Sequence, residues 1–359
     1  MLWSTGEPAS GDFVADIARY GIIVLNMDQL GLRWVASDQP GVAELIDPDS
    51  IPAAREMLDR LASLNPHARV LVQVMFYEDA EGAYGKGHPW WLRDGQERVQ
   101  YWPGTYRMDL ANSAYVAHVA RRIMALEMAT GGRCGIFLDN LRCDPASRQA
   151  WLSLLGQARI LCGQRLAVLI NAGWESHDLD WIAPHLNGLL FEDGLHHLAA
   201  GDSAAAYYAR LHRLEGMTRQ PRLSVHEVYG PREDRQAVAR ELARTLIHTD
   251  MAFIYADSTE HHAHAWLDGY GRKIGLPVDG PTRPATPSAS GSAMASRGFA
   301  SGSAMYCEPV PDRVWDPQAR LDGLPDAPMA DIFTGLPIAP GLELSPGEGL
   351  ILQNPPQQR

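Results

Sequence analysis

Seven short apolar runs, each too continuous to be one face of a half-wet sheet, constrain this chain more than any other feature. They are "GIIVLN" (21–26), "RVLVQVMF" (69–76), "CGIFLD" (134–139), "LAVLIN" (166–171), "GLLFE" (188–192), "RLSVHEV" (222–228) and "MAFIYAD" (251–257). A strand with one solvated face alternates apolar and polar residues, whereas a strand covered on both faces does not. Helical periodicity fills the intervals. "IPAAREMLDRLASL" sets Ala54, Leu58 and Leu61 on one stripe, with Met57 and Leu64 alongside. "NSAYVAHVARRIMALEMA" aligns Val116, Val119, Ile123 and Leu126 behind an N-cap at Asn112 or Ser113. "ASRQAWLSLLGQARIL" aligns Trp151, Leu154, Ala158 and Leu161, and "GPREDRQAVARELARTLIH" opens with Pro231 at a first-turn position followed by acids.

Buried strands alternating with helices predict a parallel α/β architecture. At 359 residues a closed (β/α)8 TIM-like barrel fits better than an open doubly wound sheet. No GxGxxG or Walker loop follows any of the runs, which removes the usual mark of a nucleotide-binding sheet. An eighth strand is not visible. Near residue 276 the texture changes to "GLPVDGPTRPATPSASGSAMASRG", too poor in large apolar side chains to hold an element. Short strand-like pieces follow, "SAMYCEP", "LELSP" and "GLILQNP", separated by Pro and Gly. The expected organisation is a barrel over 1–276, a loop or linker over 277–300 and a small C-terminal β appendage over 301–359, packed on the barrel.

Two of the runs end in acid. "GIFLDN" stops at Asp139 and Asn140, and "GLLFEDG" stops at Glu192 and Asp193. The C-terminal ends of barrel strands form the active-site face, and a carboxylate at the rim of a dry core is costly unless it is paired or used. One such acid is as readily a helix cap or the partner of a nearby arginine such as Arg142. Two in matching positions are the equipment of glycoside hydrolysis, with carboxyls expected on one face within about 10 Å. Asp139, beside an amide and an arginine, is expected to be the nucleophile or base; Glu192, behind Leu189, Leu190 and Phe191, is expected to be the general acid.

Other run ends are polar as well: Asp28, Tyr77 with Glu78, Asn171, His226 with Glu227, and Asp257. Loops after the runs carry Trp90, Trp91, Trp102, Tyr106 and Trp174, with Asp109 closing the first of them. Flat apolar rings together with acids and amides suit a polyhydroxylated ligand. The candidate substrate-binding residues are therefore Asp28, Tyr77, Trp91, Trp102, Asp109, Asn140, Asn171, Trp174, His226, Glu227 and Asp257. The competing expectation for any single ring is packing of its own loop.

The formal net charge of −12 argues against nucleic acid or an anionic membrane as partner. Cysteines at 134, 143, 162 and 307 have no metal or redox spacing and read as small buried hydrophobes. No run approaches the ~18 apolar residues of a membrane span. The start lacks the basic and apolar regions of a signal peptide. A cytoplasmic location is the default expectation, or a secreted or periplasmic one if the natural start lies upstream. His261, His262 and His264 in "HHAHAW" do not match HExxH, so no metal and no cofactor is expected. No Gly-x-Ser-x-Gly elbow supports a serine hydrolase.

The segment "HPWWLRDGQERVQYWPGTYRMDLANSAYVAHVARRI", with "GIFLDN" and "GLLFEDG" after it, resembles the proteins called hypothetical glycosyl hydrolase family 15, barrel relatives of the endo-α-1,4-polygalactosaminidase family. The similarity covers most of residues 15–353 and rests on His88, Pro89, Trp91 and Asp94; Asp109, Leu110 and Asn112; Asp139 and Asn140; and Glu192. The closing segment is similar too, except that Glu308 stands where the family tends to have Asn. The resemblance implies a glycosidase without naming its sugar. The expected function is a glycoside hydrolase acting as a monomer on a polysaccharide or oligosaccharide. The alternatives are a non-catalytic carbohydrate-binding barrel and a metal-dependent hydrolase built on His226, His261, His262 or His264.

Overall fold

The computed structural model describes residues 1–3, 10–198, 202–231, 233–256, 270, 277–278, 280, 293–308, 329–334, 336–338, 344 and 348–354. Eight of its strands form one sheet: β1 (Leu2–Trp3), β2 (Ile22–Leu25), β3 (Arg69–Val74), β4 (Cys134–Leu138), β5 (Val168–Asn171), β6 (Gly188–Glu192), β7 (Val225–Tyr229) and β8 (Ala252–Ala256). They stand side by side in chain order, and the pairs from β1 through β6 are parallel. Parallel neighbours need a crossover, and helices supply most of them: α1 (Phe13–Ile17), α2 (Ile51–Leu64), α3 (Ser113–Thr130), α4 (Pro145–Cys162), α5 (Ala204–Met217) and α6 (Arg235–His248). Between β5 and β6 the described helix is a single 3-10 turn, Ala183–His185. This is the (β/α)8 barrel that the apolar runs predict, with a small antiparallel sheet after it.

The strand missing from the sequence reading is β1. Two residues are too few to stand out as an apolar run, yet Leu2 pairs with Ile23 and Trp3 with Val24. Both side chains are buried. The Trp3 indole N–H donates to Gln73 Oε1 at 3.2 Å, and its ring meets Phe137 at 4.9 Å.

The chain divides into two compact units, Met1–Glu192 with Met217–Val225, and Asp193–Gly216 with His226–Arg359. In the first, Ile23, Leu25, Val72, Phe137, Leu138, Leu169, Ile170, Leu189, Leu190 and Phe191 are fully buried. That burial on both strand faces is why the runs do not alternate. Each such side chain contributes roughly 1.5–3 kcal/mol. The α2 stripe buries Ala54, Leu58 and Leu61, while Leu64, on its last turn, is exposed. Asn112 caps α3 by accepting the amides of Ala114 and Tyr115, and Gly131 ends that helix at φ 67°. Gly135 in β4 has a steric reason: a Cβ there would stand 2.7 Å from the Ala167 carbonyl oxygen and 2.5 Å from a Leu71 methyl.

In the second unit α6 starts at Arg235 rather than at Pro231. Asp234 accepts the Ala237 amide at 2.9 Å and so defines the first turn. The expected linker gives way to a strand at Ala293. The four strands β9 (Ala293–Phe299), β10 (Gly302–Glu308), β11 (Ala330–Asp331) and β12 (Gly349–Gln353) are ordered β9-β10-β12-β11 and antiparallel. Ala295, Phe299, Ala304, Tyr306 and Ile351 of this sheet pack with Val238, Leu242 and Ile247 of α6. Of "LELSP" only Leu344 is described, and it is buried.

Candidate active site

Three carboxyl-bearing strand ends and one amide-bearing end meet in the first unit. Beyond β3 the chain continues through Phe76, whose carbonyl accepts the Tyr115 hydroxyl at 2.9 Å, to Tyr77 and Glu78. There it turns into a short antiparallel pair in which Glu78 opposes Arg107. Past β4 come Asp139 and Asn140, the latter at φ 59°. That left-handed backbone lets the Asn140 amide donate to Asp139 Oδ1 at 2.9 Å, and Leu141 N donate to Asn171 O at 2.9 Å. Non-glycine residues seldom adopt it, and Asn is among the few that tolerate it. β5 ends in Asn171 and β6 in Glu192, whose amide donates to Gly173 O at 2.8 Å.

Asn171 joins the two acids. Its Nδ2 donates to Asp139 Oδ1 at 2.8 Å and to Glu192 Oε1 at 2.6 Å, while its Oδ1 accepts the Gly173 amide at 2.8 Å. The amide is thus oriented from its oxygen side, with both protons directed at carboxylates. Two oxygens sharing one nitrogen at those lengths lie no more than about 5.4 Å apart, inside the separation of about 10 Å expected of the pair.

Beside Asn171 and Glu192 lies an open cleft lined also by Tyr101, Trp102, Asn140, Arg142, Trp174 and Glu175, among others. Asp139 reaches it through its bonds from Asn140 and Asn171. Trp102 is 55% exposed and Trp174 49%, so each presents a ring to solvent. Tyr77 is buried between two cations, with Arg107 at 4.9 Å and Arg142 at 5.4 Å from its ring, and meets Tyr101 edge-on at 5.2 Å. Arg142 also donates to the Tyr101 hydroxyl.

Among the sequence candidates, Asp139, Glu192, Asn140, Asn171, Trp102 and Trp174 are brought together, with Tyr77 beneath them. Trp91 is not at the cleft. Its ring is 2% exposed, its N–H donates to Gly85 O at 3.0 Å, and Tyr84 and Arg98 pack on it. Asp109 turns the chain into α3, accepting the Ala111 amide at 3.1 Å, and Asp28, itself exposed, opens the 3-10 turn after β2. The aromatic loop therefore divides its work: Trp90 lies against His118 and Tyr115, whereas Tyr101 and Trp102 face the cleft.

In the second unit His226 and Glu227 are fully buried. Thr245 gives its hydroxyl proton to Glu241 O at 2.9 Å, so His226 Nδ1, 2.8 Å from that hydroxyl, carries the hydrogen and donates. Burial, helped by the Arg244 charge, pushes the ring down to about 3, and it is neutral at ordinary pH. Its ring packs among Tyr207 and Tyr208. Asp257, His261, His262 and His264 lie outside the described residues. Among the described residues no three His, Cys, Asp or Glu side chains form a metal-binding group, and no helix is long and apolar enough to cross a membrane.

Sequence reasoning passed over Glu78 as a site residue although "RVLVQVMFYE" ends in acid as the other two runs do. Burial first, and then the charge of Asp139, push its carboxyl up to about 7. One extra residue, Tyr77, between run and acid broke the match to the pattern, and the placing of the acid is set by the pairing of Glu78–Ala80 with 105–107.

No protein-family model and no curated protein sequence matches the chain. Solved structures do resemble it. A family 39 glycoside hydrolase from Bacteroides cellulosilyticus aligns over 98% of this chain and 80% of its own at TM-score 0.57 and 11% identity. A family 27 β-L-arabinopyranosidase from Geobacillus stearothermophilus aligns over 96% and 92% at 0.54 and 8% identity. A maltogenic α-amylase from Thermotoga neapolitana aligns over 93% and 90% at 0.52 and 12% identity. At such identities the likeness is one of fold: this chain has the barrel on which those glycoside hydrolases are built.

Proposed function

We propose that the protein is a glycoside hydrolase that cleaves a polysaccharide or oligosaccharide with Asp139 and Glu192 as its carboxylate pair. The observation that carries this reading is the shared Asn171 amide, which donates to both strand-end carboxylates and so brings them together. The two-step course that follows is the one a close pair supports. Asp139 Oδ1 accepts two N–H donors, surroundings that suit the attacking carboxylate, and proton donation falls to Glu192. In the first step Asp139 bonds to the anomeric carbon while Glu192 gives its proton to the departing glycosidic oxygen. In the second, Glu192 takes a proton from water, whose oxygen displaces Asp139 and regenerates the free acid. Trp102 and Trp174 offer exposed faces on which sugar rings stack, and Asn140 and Arg142 offer donors to their hydroxyls. The sequence resemblance to the hypothetical glycosyl hydrolase family 15 supports the same assignment, because its matched Asn140 and Glu192 line this cleft and its matched Asp139 is bonded to Asn140 and Asn171 at the cleft's edge.

The test is release of reducing ends from a panel of bacterial exopolysaccharides and aryl glycosides. D139N and E192Q are each expected to lower kcat/KM on the responding substrate by at least about 10³-fold. Azide is expected to rescue D139A as a glycosyl azide. Full activity in both variants would end the assignment, and glycan binding without turnover by the wild type would favour a binding barrel.

A further inference from the structure

Glu78 has no part in the two-carboxylate reading, yet the cleft is tied together through it. Its side chain is 4% exposed. Oε1 accepts Asn140 Nδ2 at 3.0 Å, and Oε2 lies 3.3 Å from Thr105 Oγ1. Thr105 Oγ1 in turn accepts the Trp102 amide at 3.2 Å. Asn140 donates its own amide to Asp139 and accepts the Tyr101 hydroxyl at 3.2 Å. One carboxyl group thus connects the residue beside the proposed nucleophile to the loop that carries Tyr101 and Trp102. The charged groups facing it are Asp139 just past β4, Arg142 after it, Asp79 on its own segment and Arg107 across the hairpin. A second negative charge beside Asp139, in a place that water barely reaches, is unfavourable.

We propose that Glu78 is a third carboxyl group of the active site, a positioning residue that works in its neutral form by holding Asn140 with one oxygen and the Trp102 loop, through Thr105, with the other. The kinetic part of this inference rests on the glycosidase reading; the protonation part does not. Burial is the larger cause of the neutral form and the Asp139 charge the next, and together they outweigh the Thr105 hydrogen bond and the Arg142 charge to set the carboxyl at about 7. Below that pH, Oε2–H donates to the Thr105 hydroxyl. Above it, the proton leaves to solvent, Thr105 turns its hydroxyl proton to Oε2, and a second negative charge stands beside Asp139 in a place that water barely reaches. A glutamine reproduces the neutral form, because its carbonyl accepts from Asn140 and its NH2 donates to Thr105.

Two measurements test it. In carboxyl ¹³C NMR, the resonance that E78Q lacks is expected to titrate near pH 7 in the wild type and to move toward the ordinary glutamate range in D139N. In kinetics, the wild type is expected to lose kcat/KM with an alkaline limb near pH 7. E78Q is expected to move that limb upward and to keep more activity at pH 6 than E78A, which loses about tenfold or more. A resonance titrating between about 4 and 5 would overturn the proposal, as would an E78Q profile with the wild-type limb. Full activity in D139N and E192Q would sink the glycosidase reading instead, with the NMR titration still deciding the state of Glu78.

Discussion

One amide nitrogen organises the site at the scale of single residues. Asparagine at 171 donates two protons while its oxygen is held by Gly173 N, and so brings Asp139 and Glu192 to a common donor. Glu78 belongs to the same scale and has a consequence for stability. Its folded-state value, about 7, lies above the ordinary 4.5. Between those values the unfolded chain has released a proton that the folded chain keeps, so stability falls as the pH rises. E78Q is therefore expected to be more stable than the wild type at pH 8 by about 1–2 kcal/mol, a figure reduced for solvent screening, and to lose that advantage at pH 4. Denaturant unfolding at the two pH values measures it, and an advantage independent of pH would assign the effect to packing.

At the scale of elements, the second unit shows how a sheet of small residues is held to a helix. Ala295, Ala304 and Gly349 let β9, β10 and β12 approach α6, and a Cβ on Gly349 would stand 2.5 Å from the Arg240 Cα. Arg297 on β9, 3% exposed, donates to the carbonyls of Leu246 and Thr249 at 2.9 and 2.7 Å and to Asp250 at 2.6 Å. These carbonyls end α6 and have no partner further along the helix, so a cation from the sheet completes them. Arg297→Met is expected to cost about 2–4 kcal/mol, because it removes a buried charged donor and leaves its acceptors behind. Equilibrium unfolding checks this; a loss under 1 kcal/mol would show that water replaces the guanidinium. The Ala/Ser composition that hides β9 from a sequence reading is what this close contact requires.

For the molecule as a whole, pH stability combines buried groups of opposite tendency. His226, held down to about 3 against an ordinary 6.5, stays neutral where the unfolded chain is protonated. Stability is then lost as the pH falls from about 6.5 toward 3. His226→Asn keeps a donor for Thr245 and cannot gain a charge. It is expected to reduce the loss between pH 6.5 and 4 by about 2 kcal/mol, read as the difference in unfolding free energy at those pH values. An unchanged slope would place the acid sensitivity elsewhere. The barrel follows from the sequence because burial on both faces of a strand is a property of local composition: seven runs, with helices between them, admit few other folds. The acids at 139 and 192 were visible for the same reason, since each interrupts such a run. Local composition carries no record of partners distant in the chain. A two-residue strand at Leu2–Trp3, a buried ring at Trp91 and a raised carboxyl at Glu78 are each decided by surroundings that only folding supplies: Ile23 and Val24 for the strand, Tyr84 and Arg98 for the ring, burial and then the Asp139 charge for the carboxyl.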